Sequence, residues 1–430
     1  MNLRLISEAS KFLLFIEYIV IFPLIYYSDS YVVIYSSMMF FLLSFFLVYK
    51  YIIYRFLTAF FIFYLGIGLL NISDYRGDIS VETIKLYWYC ISVFILPSIL
   101  ISPVSDVRNK LNDYYRLGMF DLIMYGHLGI VYALTLYVYA TKGIIIVYQD
   151  LRFGIPTSIG YAIRSSLFIP IILMILKGWQ FNRKFVSLSF LAIAPSFLIG
   201  SRSTGLLAII AMMLLFVAMN SGQLVKKINL TKLALWGFAL SFGMLGGGFY
   251  LRRAFSPDLL TGPEMIDIYF GGDHSIYIYI LLPFHQGFNE TAALASRIID
   301  YGIVNSFSST ALFLADFNNL FGTSNVAAAQ YFGDEIGRVG DGGLTPGVIG
   351  GLFMDFSYST IYIFAAFGLV YALLAEASKY NKCALCLVCI FVTQFMHLFH
   401  RGFFKPEYIT IFLISYFYMM FLVEFDESKA

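Results

Sequence analysis

Charge is what this sequence has least of. Asp, Glu, Lys and Arg make up 13% of its 430 residues against 60% hydrophobic ones, and the mean hydropathy is +0.80. So few ionisable groups cannot clothe a soluble body of this size, which excludes a large water-soluble domain and leaves a polytopic membrane protein. The formal net charge of +2 carries no signal for nucleic acid, and no such partner is expected. Cysteine is scarce as well, at four residues, too few for a disulfide framework. Cys383, Cys386 and Cys389 recur at i, i+3 and i+6 inside the apolar run KCALCLVC. Zinc would need a fourth ligand and a polar second shell, so they read as buried thiols. Internal repeats and low-complexity linkers are missing, and residues 1–430 read as one membrane domain. A cleavable signal peptide is missing too: the first apolar run follows a short basic leader and reads as a signal anchor.

What the chain does have is apolar runs of membrane-spanning length, which requires roughly 20 residues per helix. About twelve can be placed, an all-α arrangement, centred on residues 11–27, 31–48, 51–71, 84–101, 119–140, 161–176, 185–200, 205–219, 233–250, 351–374, 383–400 and 410–423. Phe and Tyr supply most of the 19% aromatic content, as expected of lipid-facing bulk and interfacial belts. Between the ninth and tenth runs the pattern breaks. Residues 251–345 form one large polar insertion, and up to Leu344 it holds ten Asp and Glu, four Arg, two His, eleven Gly and no Lys. Ionisable groups concentrated in one non-lipid segment point to recognition there.

With the N-terminus in the cytoplasm, sixteen of the 28 Lys and Arg fall on inner turns, as the positive-inside rule requires. The two cations part company: eleven of fourteen Lys are inner, whereas nine of fourteen Arg are outer. Lysine there is a topology signal. Arginine kept on the outer face against that signal points to phosphate or carboxylate, which a planar guanidinium grips with two parallel hydrogen bonds. Arg202 in IGSRSTG sits in a short turn, Arg252 and Arg253 follow a span directly, and Arg401 ends MHLFHRG beside His400. These four are fixed near the membrane surface and carry the expectation, with headgroup snorkelling as the alternative. Arg76, Arg152 and Arg164, in or beside longer loops, carry less of it.

SRSTG between two apolar runs, followed by a large outer insertion ending in LTPGVIGGLFMDF, resembles the bacterial O-antigen polymerase (Wzy) family and the related O-antigen ligases. The likeness covers most of the chain as a layout but only these two short motifs as residues. One departure is that SYSTIYIF follows, where such proteins tend to show spaced glycines. The resemblance implies a GT-C type membrane glycosyltransferase with a large periplasmic loop and both termini cytoplasmic, in the bacterial inner membrane. It implies as substrates oligosaccharide repeat units carried on undecaprenyl diphosphate, no cofactor, and a polysaccharide chain-length regulator as a partner beside the membrane lipids.

Displacing a diphosphate from an anomeric carbon calls for cations on the leaving oxygens and a base for the attacking hydroxyl. Arg202, Arg252, Arg253, Arg338, Arg401 and His400 are the candidate binding groups. The candidate catalytic residues are Asp273, His274, Asp341 and Asp355. Asp273 and His274 follow a Gly-Gly pair in FGGDHS that lets backbone approach a ligand, although a helix cap beside a surface histidine would read the same. Arg338 and Asp341 lie in GRVGDGG, either a mobile lid or an ordinary turn. Asp355 adjoins the family-like motif. His397 and His400 lack a third ligand nearby and the insertion has no DxD, so no metal is expected. Glu17 within the first span reads as a functional acid or as a partner of Lys11, and His127 as a satisfied polar group. The rival classes are a flippase for lipid-linked sugars and an O-antigen ligase. Against the flippase stand the lack of two similar halves and the scarcity of midplane charge.

Overall fold

The computed structural model describes residues 3–72, 77–102, 114–143, 155–176, 182–227, 250, 260–303, 312–314, 316, 332–333 and 344–425. The chain forms α1 (Leu3–Tyr27), α2 (Tyr31–Val48), α3 (Ile52–Gly68), α4 (Val81–Ile101), β1 (Tyr114–Arg116), α5 (Met119–Lys142), α6 (Thr157–Arg164), α7 (Ile169–Ile175), α8 (Arg183–Leu198) and α9 (Arg202–Lys227). Then come α10 (Gly262–Tyr269), α11 (Ile276–Asp300), α12 (Gly347–Phe356), α13 (Thr360–Ala377), α14 (Lys382–Arg401), α15 (Pro406–Phe421) and β2 (Val423–Phe425). Among the described residues the fold is all-α apart from the short antiparallel pair of β1 with β2. Among the described residues seven helical segments are long and apolar enough to cross a bilayer, and two shorter apolar helices, Ile52–Gly68 and Ser203–Met219, accompany them. Large apolar side chains such as Phe12, Leu122, Leu136, Phe190 and Leu413 point outward, as a lipid solvent permits. This is a membrane protein. The expected span 233–250 lies, but for Tyr250, outside the described residues.

Aromatic side chains hold the centre. Phe61, Phe94, Phe364, Phe395 and Phe399 are all buried, with Phe94 stacked on Phe395 at 4.8 Å and Phe61 edge-on to Phe94 at 5.8 Å. Gly368 lets α13 press against α4, because a Cβ there would stand 2.2 Å from the Phe94 carbonyl oxygen.

The connections sort into two ends. At one, β1 pairs with β2, Tyr114 bridges to Leu176 and donates to Asn381 at 3.0 Å, and the Tyr51 and Ser378 hydroxyls meet at 2.7 Å. At the other, Lys85 pairs with Asp29 at 3.4 Å and the Asn71 amide brackets Ile79. Here α11 lies across the ends of α3 and α4. Asn289 donates to the Gly68 carbonyl at 3.1 Å, the Ser80 N–H donates to Ser296 at 2.9 Å, and the Ser80 hydroxyl donates to Asp300 at 2.6 Å. The stretch expected as a loop therefore contains a helix running from Ile276 to Asp300. Its apolar residues run unbroken only from Ile276 to Phe284, and polar groups such as Gln286, Asn289, Glu290 and Arg297 follow, so no run of spanning length forms.

The glycines of the LTPGVIGG motif serve packing. Gly347 (φ +65°) and Gly402 (φ +84°) touch backbone to backbone, and a Cβ on Gly351 would stand 2.2 Å from the Gly402 carbonyl oxygen. A Cβ on Gly350 would press on Ala295 of α11 at 3.0 Å. The chain then turns at Ser357, whose φ of +51° is a conformation that suits glycine. This is the place where the resemblance leads one to expect glycine and the sequence supplies serine.

Candidate functional site

Two helix ends face one another across residues 402–405. α14 finishes with His400 and Arg401 in its last turn and the left-handed Gly402 as its cap, so cations meet the negative end of the helix. α15 starts with Pro406 and carries Glu407 in its first turn, where an acid meets the positive end. Local helix chemistry alone thus places both signs of charge at one point.

Arg164, at the end of α6, completes the point from a distant part of the chain. Its Nη1 lies 2.6 Å from Glu407 Oε2, its guanidinium lies 4.9 Å from the Tyr161 ring centre, and its Nε donates to the Gly160 carbonyl at 2.9 Å. The Glu407 side chain is 1% exposed and that of Arg164 16%. The approach is close but the N–H does not aim at the oxygen, and neither Glu407 oxygen receives a directed hydrogen bond among the described residues. Lys405 is half-buried beside them. Burial pushes its ammonium pKa below the ordinary range; Glu407 and Asp316 oppose that shift, while Arg401 and Arg164 add to it. His397, buried, bonds the Tyr408 hydroxyl through Nδ1 at 2.9 Å, and Lys405, Arg401 and Arg164 all act on it electrostatically. Three cations, Arg164, Lys405 and Arg401, therefore share one neighbourhood with two buried acids, Glu407 and Asp316.

A second group of bonds fixes this neighbourhood. The Tyr64 hydroxyl meets Thr291 of α11 at 2.6 Å and His400 Nδ1 at 3.1 Å, tying the end of α14 to α3 and α11. Asp355 accepts from the N–H groups of Leu312 and Phe313 at 2.8 and 2.6 Å, and the Phe404 N–H donates to the Phe313 carbonyl at 2.8 Å. Asp355 thus anchors the turn that underlies residues 402–405. Both its oxygens receive backbone N–H groups, which makes it a positioning residue at this site.

Asp273 and His274 stand elsewhere, in front of α11. Asp273 accepts from the Ser275 N–H at 3.0 Å and the Tyr277 hydroxyl at 2.7 Å. His274 bonds Asp267 through Nε2 at 2.8 Å and Tyr279 through Nδ1 at 3.0 Å. The hydrogen bonds to Tyr277 and Ser275 hold the Asp273 carboxyl below its usual pKa. Asp273 is not the cap of α11, which is Ser275; its bond to the Ser275 N–H closes a short turn in front of the helix. At about 1.5 Å per residue, the start of α11 is roughly 20 Å from Thr291, the residue that reaches the His400 contact.

Of the other candidates, Arg252, Arg253, Arg338 and Asp341 lie outside the described residues, as do Arg76 and Arg152; Arg202 opens α9, and its side chain lies outside them too. His400 and Arg401 are brought to the charged point. Arg164, which carried less of the expectation, belongs to it. Glu407, Lys405 and Asp316 were not singled out by sequence; the signal for two of them was an acid and a cation flanking proline in FKPEYI, at the edge of the last apolar run. His127 is satisfied as expected, by Ser165 at 2.8 Å and Tyr418 at 3.3 Å. Cys386 and Cys389 are free and buried. Among the described residues no three His, Cys, Asp or Glu side chains gather as a metal-binding group. No family model, curated protein or solved structure matches the chain.

Proposed function

We propose that the protein is a GT-C type membrane glycosyltransferase of about twelve spans. In this reading it polymerises oligosaccharide repeat units carried on undecaprenyl diphosphate, and the end of the bundle bearing α11 faces the periplasm of the bacterial inner membrane. The supporting observation is the gathering of Arg164, Lys405 and Arg401 around residues 402–405, at a helix end of a membrane bundle. A lipid-borne diphosphate is an anion held at that depth; Arg164 and Lys405 are half-buried and Arg401 is exposed beside them, and cations fixed where water is scarce stabilise the charge that builds on the diphosphate as it leaves. The acceptor hydroxyl attacks the anomeric carbon, the bond from that carbon to the diphosphate oxygen breaks, and its electron pair departs with the diphosphate. The hydroxyl proton passes to a carboxylate. Glu407 is the acid nearest the cations, and its oxygens lack directed hydrogen bonds among the described residues.

The test is complementation of a deletion strain, read as surface-glycan ladders on a gel. The strain without the gene displays single repeat units if the protein is the polymerase, and no surface repeat if it is the ligase or the flippase. Arg401→Ala abolishes the ladder while the protein stays inserted, and Arg401→Lys restores it poorly because an ammonium cannot make the paired bonds. A full ladder from both Arg401→Ala and Arg164→Lys removes the diphosphate-clamp reading.

A further inference from the structure

Far from that cluster, an acid lies at the middle of the membrane. Glu17 sits in the apolar segment Ala9–Tyr27 of α1, about 12 Å from one end and about 15 Å from the other at ~1.5 Å per residue. That is close to the midplane of a hydrocarbon layer about 30 Å thick. The chain offers it little. Lys11, the nearest cation on the same helix, donates instead to the Leu100 carbonyl at 3.2 Å. The Ser44 hydroxyl bonds the carboxyl, yet Oε1 is buried with no hydrogen-bond partner among the described residues.

The space beside Glu17 is open. Together with Val20 and Leu24 of α1 and Ser36, Ser37 and Phe40 of α2, it lines a groove of about 410 Å³. Val20, Leu24 and Phe40 are exposed. α1 is also the least enclosed of the spanning segments, with 17% of it buried against 67% of Val81–Ile101, so this groove faces the lipid. A carboxyl held at such depth is costly unless something answers it.

We propose that this groove receives a transmembrane helix of a partner protein, whose Lys, Arg or His at mid-membrane depth pairs with Glu17. Charge complementarity selects a cation. Depth excludes lipid headgroups, which sit about 15 Å away, and an isoprenoid or acyl tail carries no donor. A second copy of this chain brings an identical acid to the same depth. Ser36 and Ser37, small and polar, permit the close helix approach on which packing in a bilayer depends. The proposal is independent of the glycosyltransferase reading.

The test places a photoreactive amino acid at Val20 in the full-length protein in its native membrane, with adducts identified by mass spectrometry. The expected product is one adduct to a membrane-spanning segment with a basic residue near its centre. Glu17→Leu and Glu17→Gln each lower its yield about fivefold or more, the scale of one polar contact between helices in a bilayer. Glu17→Lys combined with replacement of the partner's cation by Glu restores it. Thermal unfolding in detergent is the control, since Glu17→Leu removes a polar group from a lipid-facing groove and leaves the isolated protein as stable or more so. Adducts to a second copy, to lipid alone, or to a segment without a basic residue overturn the proposal, as does a yield indifferent to Glu17.

Discussion

Asp267, Asp273 and His274 in front of α11, and Glu407, Lys405 and Arg164 where α15 begins, are charged clusters of similar size built in opposite ways. In the first, His274 and Asp267 are 45% and 59% exposed, and Asp273 and both histidine nitrogens are engaged by neighbours. Water screens what is left, so each contact adds little. In the second, Glu407 is sealed from solvent, and its countercharges come from α6 and from the connection before α15. There the desolvation of each ion amounts to several kcal/mol, offset only while every partner stays in place. Helix ends assemble both, but only the buried cluster keeps acceptor oxygens without directed hydrogen bonds in a poorly solvated place, which is what reaction chemistry uses.

The largest break in that comparison is expected from Glu407→Ala. It takes from Arg164 its partner at 2.6 Å and leaves Lys405, among the described residues, with Asp316 alone, and costs about 3–5 kcal/mol, measured as denaturant or thermal unfolding in detergent. The paired change Arg164→Met with Glu407→Leu recovers most of the loss. A single-variant cost below about 1 kcal/mol would place the buried cluster in the same class as the exposed one.

Next comes the seat of α11. His285 is buried, with Nε2 3.2 Å from the Leu70 carbonyl and Nδ1 without a partner among the described residues; burial holds its pKa below the ordinary value. The fold therefore favours the neutral ring. Its contribution is complete above the unfolded value near ~6.5 and is lost as the pH falls below that toward the folded value. Protection of the α11 amides, taken as exchange relative to the intrinsic rate at each pH, should fall between about pH 7 and about pH 5, and His285→Gln should remove that fall. Protection that is unchanged with pH in the unaltered protein would refute this.

A smaller gain is expected at Ser357. Glycine accepts its φ of +51° without strain, so Ser357→Gly stabilises by about 1 kcal/mol, seen as a higher unfolding temperature. The smallest effect belongs to the exposed cluster. Under the proposed function, Asp273→Asn leaves the glycan ladder at full length where Arg401→Ala removes it; a lost ladder would move the proposed base to the front of α11.

Length and apolarity made the spanning helices readable in the sequence, because a bilayer demands both of every crossing whatever its neighbours. α11 escaped, since its unbroken apolar stretch, Ile276 to Phe284, is too short to span and polar residues follow it. Arg401 and His400 were readable because a helix end followed by glycine fixes where they stand. Glu407 was not: it falls just outside the apolar run ending in Val423, and its partner Arg164 comes from a helix far away in sequence. Pairings across such separations are made by packing, and a single sequence does not record them.

The contact of Gly347 and Gly351 with Gly402 is main chain against main chain, with no side chain in between to give way. Neither helix end has slack to slip past its neighbour, so α12 and the end of α14 must travel together. A pull on the segment entering α12 would arrive at Arg401 undamped, and occupancy of the arginine would be felt in return at the foot of that segment.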